Sequence, residues 1–243
     1  MATVTLTDRN DHYTTTSNDT LVLAKGGNDV IIVKDAFYDR ENELIQISVY
    51  GGPGNDKIIG KFGIDHELLY GGPGNDHIEV WGSVTYNGAA LGAGGNDTLV
   101  CKGGDEGCNL VGGSGNDTLI NEGTTSAYMT GGPGHDTLVG GPGPDEFVFS
   151  DAGDTVAGTN RDVIKNFQHG SDVIHLSEMD ANAKIPGDQA FTFVAVAKHP
   201  GIGKVGYYVS GHNVIVVGNT GAKTFEIELQ AFDPPLAAAD FHL

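Results

Sequence analysis

A nonapeptide that returns at a regular interval restricts this chain more than any other feature. Gly51-Gly52-Pro53-Gly54-Asn55-Asp56-Lys57-Ile58-Ile59 comes back as Gly71-Gly72-Pro73-Gly74-Asn75-Asp76-His77-Ile78-Glu79. Further copies occupy 92–100, where the start is slipped and Gly94 holds the glycine signal, 112–120, 131–139 and 140–148, with degenerate copies at 24–32 and 14–22. The glycines Gly112, Gly113, Gly115, Gly131, Gly132, Gly134, Gly140, Gly141 and Gly143 repeat the pattern of Gly51, Gly52, Gly54, Gly71, Gly72 and Gly74. Glycine at the first, second and fourth positions opens backbone conformations closed to other residues, and turns carbonyls toward a common centre. The sixth position adds a carboxylate.

The aspartates Asp29, Asp56, Asp76, Asp97, Asp117 and Asp136 lie 27, 20, 21, 20 and 19 residues apart, about two nonapeptides per coil. They are expected to stack along one edge. A single such Asp reads equally well as a turn former, but six in phase point to ligands. Calcium takes six to eight oxygens from carboxylates and carbonyls, and two stacked loops supply about that number where one cannot. Proline at the third position and asparagine at the fifth fit turn chemistry and are not counted as ligands. The apolar eighth position, filled by Ile58, Ile78, Leu99, Leu119, Leu138 and Phe147, points inward from a short strand and predicts a thin, repetitive core. From Gly131 the interval drops to a single nonapeptide, which places Asp136 and Asp154 on one edge and Asp145 and Asp162 on the other, with calcium expected on both. The opposite edge is otherwise degenerate: 60–65 keeps a glycine and an aspartate, and 80–85 keeps almost nothing.

Acidic residues outnumber basic ones 32 to 13, for a net charge of -19, which repels nucleic acid and anionic membranes and attracts cations. At 39% hydrophobic the chain has material for a core, and no stretch approaches a membrane span. The N-terminus lacks the basic and apolar regions of a cleaved signal peptide. Cys101 and Cys108 flank 102–107, either as a local disulfide or as two thiols. Trp81 and Tyr86 read as packing residues, with a glycan-contact surface as the alternative.

The nonapeptide resembles the repeats-in-toxin, or hemolysin-type, calcium repeat GGxGxDxUx. From about Gly112 onward the chain is similar to the C-terminal domain of serralysin-type metalloproteases and to mannuronan epimerase repeat modules, through 172–177, 180–182, 187–193 and 225–229. The resemblance implies an all-β fold, a parallel β-roll or calcium-binding β-solenoid holding several calcium ions, with a C-terminal β-strand capping and secretion region. Residues 1–50 are then an N-terminal cap with degenerate repeats, 51–165 the roll, and 166–243 the C-terminal β region with a type I secretion signal ending in Asp240-Phe241-His242-Leu243. Four strands are expected at 191–194, 205–209, 213–217 and 224–229. The implied location is extracellular, reached through the type I secretion machinery without a cleaved N-terminal signal peptide.

No histidine opens the H-E-x-x-H zinc helix of the proteases, and no nucleophile elbow, P-loop or dinucleotide fingerprint occurs. The scattered histidines read as surface residues. The expectation is therefore a secreted calcium-binding protein that folds on calcium after export, with no enzyme activity and a binding, adhesion or matrix role. The alternative is a polysaccharide-binding or accessory module of a secreted enzyme, with polysaccharide or cell-surface glycan as partner; a β-helix polysaccharide enzyme is a more distant third.

Overall fold

The computed structural model describes residues 2–15, 20–34, 46–61, 66–81, 89–103, 107–232 and 235–243. In chain order the roll comprises β1 (Ala2–Thr5), β2 (His12–Thr15), β3 (Thr20–Leu23), β4 (Val30–Lys34), β5 (Gln46–Tyr50), β6 (Lys57–Lys61), β7 (His66–Pro73), β8 (His77–Trp81), β9 (Ala89–Gly94), β10 (Thr98–Cys101), β11 (Cys108–Ser114), β12 (Thr118–Asn121), β13 (Ala127–Thr130), β14 (Thr137–Val139), β15 (Glu146–Val148), β16 (Asp162–Lys165) and β17 (Val173–His175). Then follow β18 (Thr192–Val196), β19 (Lys204–Ser210), β20 (Asn213–Asn219), β21 (Thr224–Gln230), a short 3-10 turn at Ala238–Asp240 and β22 (Phe241–His242). Odd-numbered strands through β17 build one sheet, which β22 closes, and even-numbered strands through β16 build the other. Each coil thus gives one strand to each sheet, and like strands pair in parallel.

Alternation within each short strand turns one residue in and the next out. In β12, Leu119 and Asn121 are buried while Thr118 and Ile120 face outward. Register then lines the inward residues into columns. Ile31, Ile58, Ile78, Leu99, Leu119, Leu138, Ile164 and Leu229 follow one another across the second sheet, all fully buried. Facing them, Val22, Val49, Leu69, Ala90, Leu110, Met129, Phe147, Ile174 and Phe241 run across the first. The core is the two-column seam that the eighth position predicts, except that the shortened interval moves Phe147 into the first sheet.

The four C-terminal strands occur where expected. β18 to β21 extend the second sheet beyond β16, with β19, β20 and β21 antiparallel and β21 returning parallel to β16. Edge-to-face packing of Phe191 on Phe225 and of Phe167 on Phe232 fills the end of the seam. Cys101 and Cys108 form a disulfide, with Cα atoms 6.1 Å apart and both side chains buried. No helix among the described residues is long and apolar enough to cross a membrane.

Candidate metal centre

Most coils pass from the first sheet to the second through the residues that carry the glycine and aspartate signal, so these turns stack as one edge. Asp29, Asp56, Asp76, Asp97, Asp117, Asp136 and Asp162 form a column along it, each almost completely buried. Their Oδ1 atoms are committed. The Asp29 backbone N–H donates to Asp56 Oδ1, Asp56 to Asp76, Asp76 to Asp97, Asp97 to Asp117, Asp117 to Asp136 and Asp136 to Asp162, all at 2.7–2.8 Å. Asp11 begins the series by donating to Asp29, and its own carboxylate caps Thr7. At the far end the Asp162 N–H donates to the Thr155 hydroxyl.

The Oδ2 atoms are the opposite case. In all seven column aspartates, from Asp29 to Asp162, Oδ2 is buried and has no hydrogen-bond partner. An unpaired buried carboxylate oxygen is costly, and it calls for a proton or a bound ion to offset its charge. Glycine keeps space beside these oxygens. A Cβ at Gly51 would clash with Asp56 Oδ2 and lie 2.6 Å from the Gly71 carbonyl oxygen of the next coil; at Gly112 it would clash with Asp117 Oδ2 and lie 2.7 Å from the Gly131 carbonyl. Gly71 and Gly131 stand against Asp76 and Asp136 in the same way. The donor set is hard oxygen, anionic and neutral, in successive coils, which fits calcium.

Electrostatics point the same way. Burial pushes the Asp56 and Asp117 carboxyls up to about 6, Asp76 and Asp136 to about 7, and Asp162 to about 8, against the opposing pull of the N–H bonds. Burial also raises Asp29 and Asp97. Like charge adds to the rise, from Asp29 on Asp56 and from Asp136 and Asp154 on Asp162.

The second and fourth glycines serve coil stacking. Gly72 and Gly74 have φ of 113° and 143°, and a Cβ on either would run into the Gly52 or Gly54 carbonyl. Gly52, Gly54, Gly113, Gly115, Gly132 and Gly134 stand against the coil before them in the same manner. In the slipped copy Gly94 holds the third position, where other coils have proline; the glycine roles fall to Gly92, beside Asp97 Oδ2, and Gly95, with φ of 128° against the Gly74 carbonyl.

Three sequence expectations need correction. Asp162 lies on the first edge, next in the column after Asp136, because residues 149–161 form a long insertion that returns to the same edge. Asp154 belongs to that insertion, where its Oδ2 accepts the Ser150 and Asp151 N–H groups instead of joining the column. On the second edge, Asp145 is fully engaged: Oδ1 accepts from Ala127 N–H and Asn121 Nδ2, and Oδ2 from the Gly141 N–H. Asp172, which the repeat pattern missed, follows it there, accepting from the Asp145 and Gln168 N–H groups. Gly140, Gly141 and Gly143 therefore shape a hydrogen-bonded turn around Asp145, without the orphaned oxygen that marks the first edge. Tyr86 and most of the degenerate second-edge turns, 62–65 and 82–88 among them, lie outside the described residues, and Trp81 is described in its backbone alone.

The fifth-position asparagines do more than shape turns. Asn10, Asn28, Asn55, Asn75, Asn96 and Asn116 each accept, through Oδ1, the backbone N–H of the same position in the following coil. This ladder runs opposite in direction to the aspartate ladder. Its signal was in the sequence as the recurring Asn-Asp dipeptide, which also marks Asp11.

No curated protein matches this chain. Residues 5–199 match the family model described as peptidase M10 serralysin C terminal. The match starts in the first coil and covers both the repeats and the beginning of the C-terminal strands, well ahead of the Gly112 start read from sequence. The stacked coils, the phased aspartates and this match agree: the chain belongs to the serralysin C-terminal family of calcium-binding repeats-in-toxin β-rolls.

Proposed function

We propose that the protein is a secreted, non-enzymatic β-roll whose first edge holds calcium between successive coils, so that folding waits for the calcium of the extracellular medium. The observation that carries this reading is the column of seven buried, unpartnered Oδ2 atoms. Asp29 through Asp162 would hold the ions, with carbonyls of the neighbouring turns. Calcium there supplies the positive charge that lets these carboxylates stay ionised inside the fold. Without it, seven carboxylates must be buried together, either protonated or repelling one another, within a chain of net charge -19. Extracellular calcium modules bind at about 10⁻⁴–10⁻³ M, a concentration range that distinguishes the outside of a cell from the inside.

The burial of residues 240 and 241 fits export before folding. Asp240 and Phe241 are buried, and β22 pairs with β17. A secretion channel that reads this tail must meet it before the roll closes. The absence of protease, elbow and nucleotide signatures from the sequence supports a binding, adhesion or matrix role. Far-UV circular dichroism at pH 8, in chelator and in millimolar calcium, tests the switch: strand signal should be gained only with calcium, and equal strand content in both would refute it. Assays on uronate-containing polysaccharides should show no turnover.

A further inference from the structure

Three side chains that the glycine and aspartate signal does not specify converge on the outer face of the first sheet. β15, β17 and β22 are its last three strands, side by side in that order. Register pairs Val148 with His175 and His175 with His242. In β15 only Phe147 enters the core, which leaves Glu146 on the outer face; His175 and His242 lie on the same face of their own strands. Glu146 Oε2 lies 3.2 Å from His175 Nδ1 and 4.0 Å from His242 Nδ1. One ligand atom from each residue lies within 4.8 Å of the others. The two imidazoles meet edge to face with centroids 5.2 Å apart.

Two imidazole nitrogens and one carboxylate oxygen make a donor set unlike that of the aspartate column. Calcium takes oxygen, whereas imidazole suits zinc and its late first-row neighbours. A tetrahedral ion with bonds of about 2.0–2.1 Å separates its donors by about 3.4 Å, between the two distances found here. The longer one involves His242, whose side chain is 53% exposed and free to turn, while Glu146 and His175 are each only 22% exposed. Ser177 Oγ lies 2.6 Å from His175 Nε2. With its proton on Nε2, donated to that hydroxyl, His175 offers the Nδ1 lone pair to an ion beside the Glu146 carboxylate; outer-shell partners of this kind commonly orient metal-bound histidines.

We propose that Glu146, His175 and His242 bind one divalent ion of the zinc class, which clips the two-residue strand β22 to the roll at a site separate from the calcium edge. Three protein ligands leave a coordination position for water or for a donor from a partner. His242 is the histidine that sets this tail apart from the apolar ending of an export signal.

The test is calorimetric titration of zinc chloride into the full, untagged, calcium-saturated chain in a non-coordinating buffer. One zinc per chain should bind. His242→Ala and His175→Ala should each weaken it by more than about 100-fold and Ser177→Ala by about tenfold, in the range that outer-shell losses define. His212→Ala, at an exposed loop histidine, should leave zinc binding unchanged. Because His242 lies at the exposed end of the last strand, its alanine variant should keep the wild-type calcium-dependent circular dichroism, which separates lost ligation from lost folding. X-ray absorption of the zinc form should show two imidazoles in the first coordination shell. No saturable zinc heat, or zinc binding undiminished in His242→Ala with the fold retained, would overturn the proposal and leave the cluster as a hydrogen-bonded ion pair.

Discussion

Asp76 stands in the middle of the first edge with one oxygen bonded and the other bare: Oδ1 accepts the Asp56 N–H and Oδ2 has no partner. Asp76→Asn keeps the accepting oxygen and replaces the bare one with a neutral amide. This substitution should raise the calcium concentration needed for folding, because it removes a charged ligand oxygen from between two coils. Circular dichroism titrations with calcium check the shift, and a midpoint equal to that of the unsubstituted chain would contradict a ligand role. Gly74→Ala should cost at least about 1–3 kcal/mol in calcium, because φ of 143° strains any other residue and the new Cβ meets the Gly54 carbonyl. The shift in thermal midpoint measures it. At this scale the phase of the aspartates was legible in the sequence. The separate duties of their two oxygens were not, since these depend on which backbone N–H of the neighbouring coil lies within reach.

At the scale of strands and turns, each coil is tied to the next by the parallel strands and, along the first edge, by two side-chain ladders of opposite direction. The second edge is held otherwise, by the Cys101–Cys108 bond in one turn and by the satisfied Asp145 and Asp172 turns further on. Replacing both cysteines with serine should lower stability by about 2–3 kcal/mol, the loop-closure value for so short a loop, without changing the strand signal in calcium. A thermal melt of the double variant checks this. The strands were readable because their apolar residues recur on schedule. Asp162 was misplaced because counting nonapeptides cannot see that 149–161 is an insertion returning to its own edge, and Asp172 was missed because its turn, Asn166 to Ser171, has lost the doubled glycine. The Glu146, His175 and His242 cluster left no mark in the repeat, since β22 is brought to β17 only by the closing of the C-terminal strands.

Across the whole molecule, buried carboxyls link folding to both protons and calcium. Burial in the fold pushes Asp56, Asp76, Asp117, Asp136 and Asp162 up from the ordinary 3.8 of the unfolded chain to between about 6 and about 8, and raises Asp29 and Asp97 as well. A raised folded value gives stability that is full below the unfolded value and is lost as pH climbs through the folded one. The calcium-free chain, unfolded at pH 8, should therefore gain strand signal as the pH falls toward 5, as circular dichroism in chelator would show, and calcium should remove most of that dependence by taking the place of the protons. A calcium-free chain with more strand signal at pH 8 than at pH 5 would contradict the burial of these groups. An anomalous-difference map from calcium-grown crystals tests whether calcium lies along the first edge. Peaks are expected beside the Oδ2 atoms of the column from Asp29 to Asp162, and none at the hydrogen-bonded carboxyls of Asp145 and Asp172. Peaks confined to the second edge, or an ordered roll with no peak in the column, would contradict it.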